Sequence, residues 1–311
     1  MALYVPTNTS SINAQRRLNT ATKALDTTFQ HLASGLRINS ARDDAAGLQI
    51  SDRLTSQING LKQGNRNAND GIALCQTMEG ALDETTNMLQ RIRTLAIQAA
   101  NGTNTEIDRK SIQQEVTALS EEITRIACKT TFGGQQCLAG PKGLLGTAGR
   151  VVFHVGAYSM DTISLSLTAG FTLAGICSDE TVLGTGKSIK SDGTLTSTTT
   201  GVCKDKDGII KFSVVTQSTA EYTIDAIDKI INVVDTHRAA LGALQNRMES
   251  TIRNQEVTHE NVSDARSRIR DADYAEEAAN LSAQTITQQA ATSVLTQANQ
   301  RPQIALSLLG S

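Results

Sequence analysis

Residues 36–51, LRINSARDDAAGLQIS, place two cations, two anions and a run of small residues inside an otherwise apolar heptad pattern. The four charges of this segment are Arg37, Arg42, Asp43 and Asp44. A second charged segment, SRIRDADYAEE at residues 267–277, lies about as far from the C-terminus as the first lies from the N-terminus. This mirrored placement indicates that the two ends of the chain meet, and it decides the fold that we expect.

Apolar residues recur at alternating spacings of three and four around these segments, a pattern typical of helices that pack along their length. The first pattern consists of Leu18, Thr22, Leu25, Phe29, Leu32 and Leu36. A second runs over residues 54–99 and stops at the turn-forming residues 101–105, and a third runs over residues 112–126. The short turn between the second and third patterns predicts two antiparallel helices.

The longest pattern covers residues 224–269, which corresponds to about 70 Å of helix. A helix of this length needs a partner, and we expect the helix over residues 54–99 beside it. Beyond the second charged segment, small apolar residues recur at Ala279, Ala283, Ile286, Ala290 and Val294. Such a helix is marginal in water by itself, so the two terminal patterns are expected to be buried against copies of themselves.

Residues 132–219 change character. Glycine-rich turns separate short alternating runs such as VVFHVGA, TISLSLTAG and IIKFSVV, which are typical of strands. The polar stretch SDGTLTSTTTG is expected to be an exposed loop. The predicted fold class is therefore mainly α: long N- and C-terminal helices paired as a coiled-coil-like rod, with a β-rich domain inserted in the middle of the chain.

The composition argues against several classes of partner. The 29 Lys and Arg residues are balanced by 31 Asp and Glu residues, so no net field attracts nucleic acid or an anionic membrane. No run of 18 apolar residues exists, and the N-terminus lacks the basic and apolar regions of a secretory signal peptide. We therefore expect no nucleic acid partner and no membrane insertion, and the residues alone favour a cytosolic protein.

No pattern of residues supports catalysis. Lys187 in GTGKS lacks the first glycine of a phosphate-binding loop, because position 181 is Thr. The four histidines are scattered, and Asp271 and Asp273 stand beside two arginines, which favours ion pairing over acid–base chemistry. We expect neither an enzyme nor a metal or other cofactor.

The five cysteines are Cys75, Cys128, Cys137, Cys177 and Cys203, and none forms a CxxC pair. This spacing argues against zinc-ribbon and thioredoxin-like sites. Cys75 falls on an apolar helical position, where a free cysteine acts as a small hydrophobic residue. Cys177 and Cys203 bracket the polar loop, so they are the candidate disulfide if the chain reaches an oxidising compartment.

The charged segments admit two interpretations. The charges near residue 40 can pair with those near residue 270 at an inter-domain junction, where partly desolvated ion pairs fix orientation and register. The alternative is a pair of solvated helix faces that contribute almost nothing to stability. The mirrored placement favours the junction, whose candidate residues are Arg37, Arg42, Asp43, Asp44, Arg268, Arg270, Asp271 and Asp273.

Several long motifs resemble those of bacterial flagellin, the subunit of the flagellar filament. They are LRINSARDDAAGLQIS, NANDGIALCQTMEGAL, QRIRTLAIQAANGTNT, RIRDADYAEEAANLS and QANQRPQIALSLL, in the order that the family shows. The resemblance implies a structural, self-assembling protein of motility that is exported unfolded through the flagellar type III channel without a cleaved signal peptide. The expected location is then extracellular, in the bacterial flagellum, and this replaces the cytosol.

The family's partners and domains are implied as well. The partners are copies of the same chain in a helical homopolymer, the flagellar cap, hook–filament junction proteins and an export chaperone. The domains are an inner coiled coil at residues 1–43 and 269–311, a helical rod with a β-hairpin region at 44–168 and 216–268, and a variable outer domain at 169–215. The implied filament-core residues are Leu18, Leu25, Phe29, Leu32, Leu36, Ala283, Ile286, Ala290 and Val294.

Flagellins also bind an innate immune receptor of the host through a helical patch. The residues that match this patch are Gln90, Arg91, Arg93, Leu95 and Glu115. Thr94 stands where the family usually has Glu, a departure that bears on the strength of recognition. The alternative is that Arg91 and Arg93 belong to a contact between protofilaments.

The second function class is a binding module, in particular a hook–filament junction protein or an adhesin-like relative with similar helical ends. Both ends of this chain carry complete apolar patterns and a charged segment. This completeness favours the main filament subunit.

Overall fold

The computed structural model describes residues 7–140, 143–144, 149–166, 170–177, 202–204 and 210–309. At residues 174, 177, 202–204, 210 and 301–309 it describes the backbone alone. The helices of these residues are α1 (Thr9–Ser34), α2 (Ala45–Ala100), α3 (Glu106–Lys129), α4 (Leu173–Cys177), α5 (Gln217–Arg270) and α6 (Tyr274–Leu309). The strands are β1 (Thr131–Phe132), β2 (Gln135–Gln136), β3 (Arg150–His154), β4 (Thr162–Ser166), β5 (Val202–Lys204) and β6 (Ile210–Phe212).

Long helices form both ends of the chain and short strands lie in its middle, so the predicted mainly α fold class is confirmed. The strands form the antiparallel pairs β1–β2, β3–β4 and β5–β6. In the β3–β4 hairpin, Arg150 lies opposite Ser166 and His154 opposite Thr162, and residues 155–161 form the turn. The alternating runs VVFHVGA and TISLSLTAG supply these two strands.

Local signals fix where the helices begin and end. The Asn8 side chain accepts a hydrogen bond from the backbone N–H of Ser11 at the start of α1, and Gly35 ends that helix at φ 70°, a conformation that glycine adopts readily. α3 starts with a capping box, in which Thr105 and Asp108 each accept from the other's backbone N–H. These side chains satisfy amides that the first turn of a helix leaves unpaired.

The chain divides into two compact units. Unit 1 consists of Met1–Asn59 and Thr258–Ser311, and unit 2 consists of Gly60–Val257. The division into three domains remains a prediction, and most of residues 169–215 lie outside the described residues. None of the helices in the described part of the chain has the length and hydropathy needed to cross a bilayer.

In unit 1, α1 and α6 pair in antiparallel fashion. His31 near the end of α1 contacts Glu277 near the start of α6, and the Asn8 side chain donates to the carbonyl of Ala298 at the other end of the pair. The two connections also meet: the backbone N–H of Arg37 donates to the carbonyl of Arg270 (2.7 Å). The two ends of the chain therefore come together within one molecule, as the mirrored charged segments indicated.

In unit 2, α2 and α5 pair in antiparallel fashion along their length. Asp83 of α2 contacts Arg238 of α5. Arg93, which lies later in α2, contacts Asp228, which lies earlier in α5, so the two helices run in opposite directions. The apolar positions between the helices are fully buried; they include Met78, Leu82, Leu89, Ile92, Ile227, Val234, Leu241 and Met248. α3 covers this core with Val116, Ile123 and Ala127. The helix of residues 224–269 thus has the partner that the heptad pattern required.

Candidate functional site

The contact between α1 and α6 uses one face of each terminal helix. On α1 this face consists of Ala14, Leu18, Ala21, Leu25, Thr28 and Leu32, which are buried or half-buried. On α6 it consists of Leu281, Gln284, Gln288, Ala291, Leu295 and Ala298, which are likewise buried or half-buried. Both sets follow the heptad spacing, but alanine, threonine and glutamine bury little apolar surface. The larger apolar side chains of the two faces are leucines, and each of them is only half-buried in the single chain.

A second apolar face of α6 points away from α1. Its residues are Ala279, Ala283, Ile286, Ala290 and Val294, and all five are exposed. Ile286 is 66% exposed and Val294 54% exposed, although both are large apolar side chains. Four of the nine predicted filament-core residues lie on this face. Nothing in the described part of unit 1 covers them.

The five predicted core residues of the N-terminal side are split between locations. Leu18, Leu25 and Leu32 lie on the α1 face that packs against α6. Phe29 is 53% exposed. Leu36 lies after α1 and forms an isolated backbone bridge with Asp271. Burial of all nine residues in a filament remains a prediction.

The carboxylates of the charged segments are engaged with nearby backbone amides. Asp43 accepts from the backbone N–H groups of Asn39 and Ser40, and these hydrogen bonds, with Ser40 the stronger influence, lower the pKa of Asp43. Asp44 accepts from the amides of Ala46 and Gly47 at the start of α2. Asp273 likewise accepts from the amides that begin α6. Each carboxylate thus stabilises the start of a turn or helix.

The cations of these segments contact backbone or their own helix. The Arg37 guanidinium donates to the carbonyl of Ile269 (2.7 Å), and Arg268 pairs with Asp264 one turn earlier in α5 (2.9 Å). In the residues that the structure describes, no ion pair joins a side chain of residues 36–51 to one of residues 267–277. The two segments are joined instead by the Arg37 guanidinium on the Ile269 carbonyl and by backbone hydrogen bonds, while Asp43, Asp44 and Asp273 accept from local amides. Their role as a junction between domains of a filament remains a prediction.

The matched receptor patch lies on the α2–α3–α5 surface of unit 2. Arg91 pairs with Glu115 of α3 at 2.7 Å, with side chains 56% and 45% exposed. Arg93 pairs with Asp228 of α5 at 2.6 Å, and this carboxylate raises the pKa of Arg93. Gln90 is exposed beside them, whereas Leu95 is only 3% exposed and belongs to the core. The accessible part of the patch is therefore polar.

The described cysteines are free thiols inside unit 2. Cys75 is fully buried between the helices, and burial raises the pKa of its thiol to about 11, with the Glu79 charge adding to the effect. Cys137 is 1% exposed, and burial raises its pKa as well. Cys128 is half-buried. The side chains of Cys177 and Cys203, the candidate disulfide, lie outside the described residues, as do Lys187 and the polar loop.

The β3–β4 hairpin packs against α2, a contact that the sequence did not predict. We call the part of α2 that the hairpin contacts the hairpin seat. Gly60, Gly64 and Gly71 line this seat, where an added Cβ at Gly60 would lie 2.9 Å from Ala157 and one at Gly64 would lie 2.2 Å from the carbonyl oxygen of Val155. Asn67 of α2 donates to the carbonyl of His154 (2.8 Å). The glycines within one long helical pattern were the available signal, but glycine alone does not show which segment approaches, or whether any does.

The hairpin turn borders an open cavity of about 510 Å³ next to α5. Val155, Asp161, Arg247 and Gln255 are among its lining residues. Gln255 donates to the carbonyl of Val155 and thereby fastens the turn to α5. In the described part of the chain, no group of three or more His, Cys, Asp or Glu side chains could hold a metal ion.

Comparison with known proteins accounts for both ends of the chain. A family model described as the bacterial flagellin N-terminal helical region matches residues 5–142, and one described as the C-terminal helical region matches residues 224–309. "Flagellin B" of Vibrio anguillarum is 38% identical and "Polar flagellin F" of Vibrio parahaemolyticus is 36% identical, each over the full length of both chains.

Two solved structures are similar in fold. A putative flagellar hook-associated protein of Vibrio parahaemolyticus aligns with 74% of this chain and 100% of its own, with a TM-score of 0.53 at 16% identity. A flagellar hook-associated protein-3 of Legionella pneumophila aligns with 70% of this chain and 98% of its own, with a TM-score of 0.51 at 14% identity. At these identities the likeness concerns the fold alone.

Proposed function

The chain belongs to the bacterial flagellin family and is a structural subunit of the flagellar filament, not an enzyme; from this premise we propose how it assembles, how it is exported and which host protein it meets. The filament is extracellular.

The exposed second face of α6 carries the proposal for assembly. Ile286 and Val294 are more than half exposed in the single chain, and large apolar side chains in a row along a helix are stabilised when another surface covers them. In a helical homopolymer the covering surface belongs to other copies of the same chain. The terminal helices then form the filament interior, where contacts between subunits cover the apolar side chains that the α1–α6 contact leaves exposed or half-buried.

A double substitution tests this assignment. Ile286→Gln with Val294→Gln is expected to raise the protein concentration needed for polymerisation by at least about tenfold, because each side chain loses apolar burial between copies. Thr296→Gln is the control, since this exposed position lies on neither apolar face of α6. Sedimentation and electron microscopy report polymer, and circular dichroism checks that each variant folds. Unchanged polymerisation of the double variant would show that this face of α6 is not part of the assembly surface.

We propose further that the chain leaves the cell unfolded through the flagellar type III channel, with an export chaperone before the channel and the cap at the growing end. Support comes from membership of the family. Contact with junction proteins at the base of the filament belongs to the same proposal and likewise rests on membership of the family. The mass of the secreted chain tests the route: loss of an N-terminal segment of 15–30 residues would indicate a cleaved signal instead.

A host innate immune receptor is the second proposed partner. Arg91 and Glu115 support this proposal because they are half-exposed, 2.7 Å apart and at positions that match the family's receptor patch. Arg91→Ala is expected to weaken receptor activation, with Arg125→Ala as the control because Arg125 forms a similarly exposed pair with Glu122 on α3. The ability of both variants to form filaments is also measured. An effect of Arg91 on a contact between protofilaments is thereby distinguished from an effect on receptor activation. Equal receptor activation by both variants would contradict the proposal.

A further inference from the structure

Two asparagines of this chain are followed directly by glycine. They are Asn59, inside α2, and Asn101, in the turn between α2 and α3, and both residues are exposed. A glycine in the next position matters because it has no Cβ, so its backbone nitrogen can approach the asparagine side chain closely. The two pairs are therefore equal in chemistry, and only the backbone around them differs.

The turn leaves the backbone nitrogen of Gly102 accessible. Asn101, Gly102 and Thr103 are all exposed. The amide of Asn101 donates to the carbonyl of Gln98 (3.2 Å), whereas among the described residues no group accepts a hydrogen bond from the amide of Gly102. This nitrogen can therefore react without first breaking a hydrogen bond of the fold.

The hydrogen bonds of Asn101 favour attack by that nitrogen on its side chain. The side-chain Oδ1 accepts from the backbone N–H of Thr103 (3.4 Å), and this N–H can stabilise the negative charge that develops on Oδ1 during attack. The backbone carbonyl of Asn101 accepts from Nη2 of Arg109 (3.2 Å). Because this carbonyl belongs to the same peptide group as the Gly102 nitrogen, a cationic donor on it stabilises the anionic form of the nitrogen.

Asn59 lies in the opposite setting. In the interior of α2 the N–H of Gly60 donates to the carbonyl four residues earlier, as it does throughout an α-helix. The hairpin turn also restricts Gly60, since an added Cβ there would lie 2.9 Å from Ala157. The Gly60 nitrogen can reach the Asn59 side chain only after this part of α2 opens.

We propose that Asn101 is a site of spontaneous deamidation in the folded chain and that Asn59 is not. The Gly102 nitrogen forms a bond to Cγ of Asn101, and the bond from Cγ to Nδ2 breaks. The side-chain nitrogen leaves as ammonia, with the proton that the Gly102 nitrogen gives up. One water molecule then opens the cyclic imide at either of its two carbonyls, which gives aspartate or isoaspartate. The net reaction consumes water and releases ammonia.

The product carries a new negative charge at the C-terminal end of α2. The last carbonyls of a helix already bear partial negative charge, so a carboxylate is poorly placed there. The guanidinium of Arg109, which donates to the carbonyls of Ala99 and Asn101, is the nearby cation that can pair with it. Isoaspartate also lengthens the main chain of the turn by one carbon. The reaction therefore changes both charge and geometry where α2 leads into α3.

The two asparagines are compared in one full-length chain. The folded wild-type protein is kept in mildly alkaline buffer, and peptide mapping by mass spectrometry follows both positions. Asn101 is expected to convert at least about tenfold faster than Asn59, because Asn59 waits for local opening of α2. In guanidinium chloride, where both pairs are unfolded, the two rates are expected to be similar.

Three outcomes of this comparison overturn the proposal. Equal rates in the folded chain would mean that the helix does not protect Asn59. Absence of conversion at Asn101 in the folded chain would mean that the turn does not permit the attack. A tenfold difference that persists in guanidinium chloride would assign the effect to the neighbouring sequence rather than to the fold.

Gly102→Ala tests the attacking group itself. The added Cβ meets no atom within 4 Å, and Gly102 does not have a positive φ, so this variant is expected to fold as the wild type does. Since the methyl group hinders the approach of the nitrogen, conversion of Asn101 is expected to slow by about tenfold. Circular dichroism checks the fold, and Asn101→Asp marks the elution of one product in ion exchange. A rate equal to that of the wild type would show that the Gly102 nitrogen is not the attacking group.

Discussion

Gly64 is the residue at which the backbones of unit 2 approach most closely along the hairpin seat. A Cβ at this position would lie 2.2 Å from the Val155 carbonyl oxygen and 3.2 Å from the Gln255 side chain. Glycine inside a helix ordinarily destabilises it relative to alanine, because the unfolded chain has more freedom to lose. Its presence in the middle of α2 is therefore explained by the segment that lies against it.

Two glycines of the same helix give a matched test. Gly64→Ala is expected to lower the free energy of unfolding by about 1–3 kcal/mol, because the hairpin backbone has to move away. Gly80→Ala is expected to raise it by about 0.5–1 kcal/mol, since no atom lies within 4 Å of the added Cβ. Urea unfolding followed by circular dichroism measures both. Changes of the same sign would show that the hairpin does not rest on α2 at Gly64.

A second residue-scale test contrasts two neighbours on α5. Ile227 is fully buried between the helices, so Ile227→Ala is expected to lower the free energy of unfolding by about 2–5 kcal/mol. Asp228 pairs with Arg93 at the surface, where both side chains are more than 40% exposed, so Asp228→Asn is expected to change stability little. Raising the salt concentration to 1 M should remove any stability difference between Asp228→Asn and the wild type. A large, salt-resistant loss in Asp228→Asn would show that the pair is more shielded than its exposure indicates.

At the scale of the element, α3 depends on its capping box. The Thr105 hydroxyl and the Thr105 amide lower the pKa of Asp108, so the carboxylate stabilises the helix start above its unfolded pKa and this contribution is lost as pH falls below the folded value. Thr105→Ala is expected to cost about 1 kcal/mol of stability. Thr103→Ala, in the same turn but outside the box, is the control.

Amide exchange in the first turn of α3 measures this effect directly. At neutral pH the Thr105→Ala chain should exchange faster there than the wild type. The difference should narrow in acid, below the lowered pKa of Asp108, because protonation weakens the carboxylate half of the box while the Thr105 hydroxyl still accepts from the Asp108 amide. A difference that persists unchanged in acid would mean that Asp108 has no part in the cap. Stability measured by urea unfolding should follow the same trend.

The helices also show what periodicity can and cannot predict. On α2 and α5 the large residues Leu82, Leu89 and Leu241 fall on a single stripe, so the pattern marked the buried face. On α6 small apolar residues occur on two faces, and the pattern marked Ile286 and Val294 while the chain's own contact uses the face of Leu281 and Leu295. Periodicity shows that a helix is amphipathic, but only contacts show which neighbour lies on each face.

The hydrogen-bond partners of the carboxylates in the charged segments could likewise not be predicted from the sequence. Asp43, Asp44 and Asp273 stand near arginines in the sequence, which suggested ion pairs. In the fold they accept from nearby backbone amides instead, those of a turn for Asp43 and those of a helix start for Asp44 and Asp273. The hairpin seat was missed for a related reason: it depends on a contact between residues about 90 positions apart.

At the scale of the whole molecule, the two units differ in how the sequence builds them. Unit 2 is one continuous stretch of chain, whereas unit 1 needs both ends of the sequence. A chain cut to residues 60–257 is therefore expected to unfold in one cooperative transition, at the temperature of the corresponding transition of the full chain. Scanning calorimetry compares the two, and a broad, non-cooperative transition of the fragment would mean that unit 2 depends on the terminal helices.

Unit 1 is expected to respond to assembly rather than to fold firmly in the soluble chain. Trypsin should cut at Arg16, Arg17 and Lys23 of α1 in the monomer, because these side chains are exposed and the leucines that hold α1 against α6 are only half-buried. The same sites should resist cleavage after polymerisation, when other copies cover these helices. Equal resistance in both forms would favour the alternative class, a discrete binding protein with helical ends.

The buried thiols of Cys75 and Cys137 have a consequence for following this protein in time. In the folded chain both are inaccessible, and their raised pKa keeps them protonated and unreactive at neutral pH. In the unfolded chain the same thiols are open to a maleimide dye. A brief pulse of dye therefore labels Cys75 and Cys137 only in molecules that have not yet folded. Peptide mapping of these two positions then times the moment at which each newly arrived subunit takes up its final form.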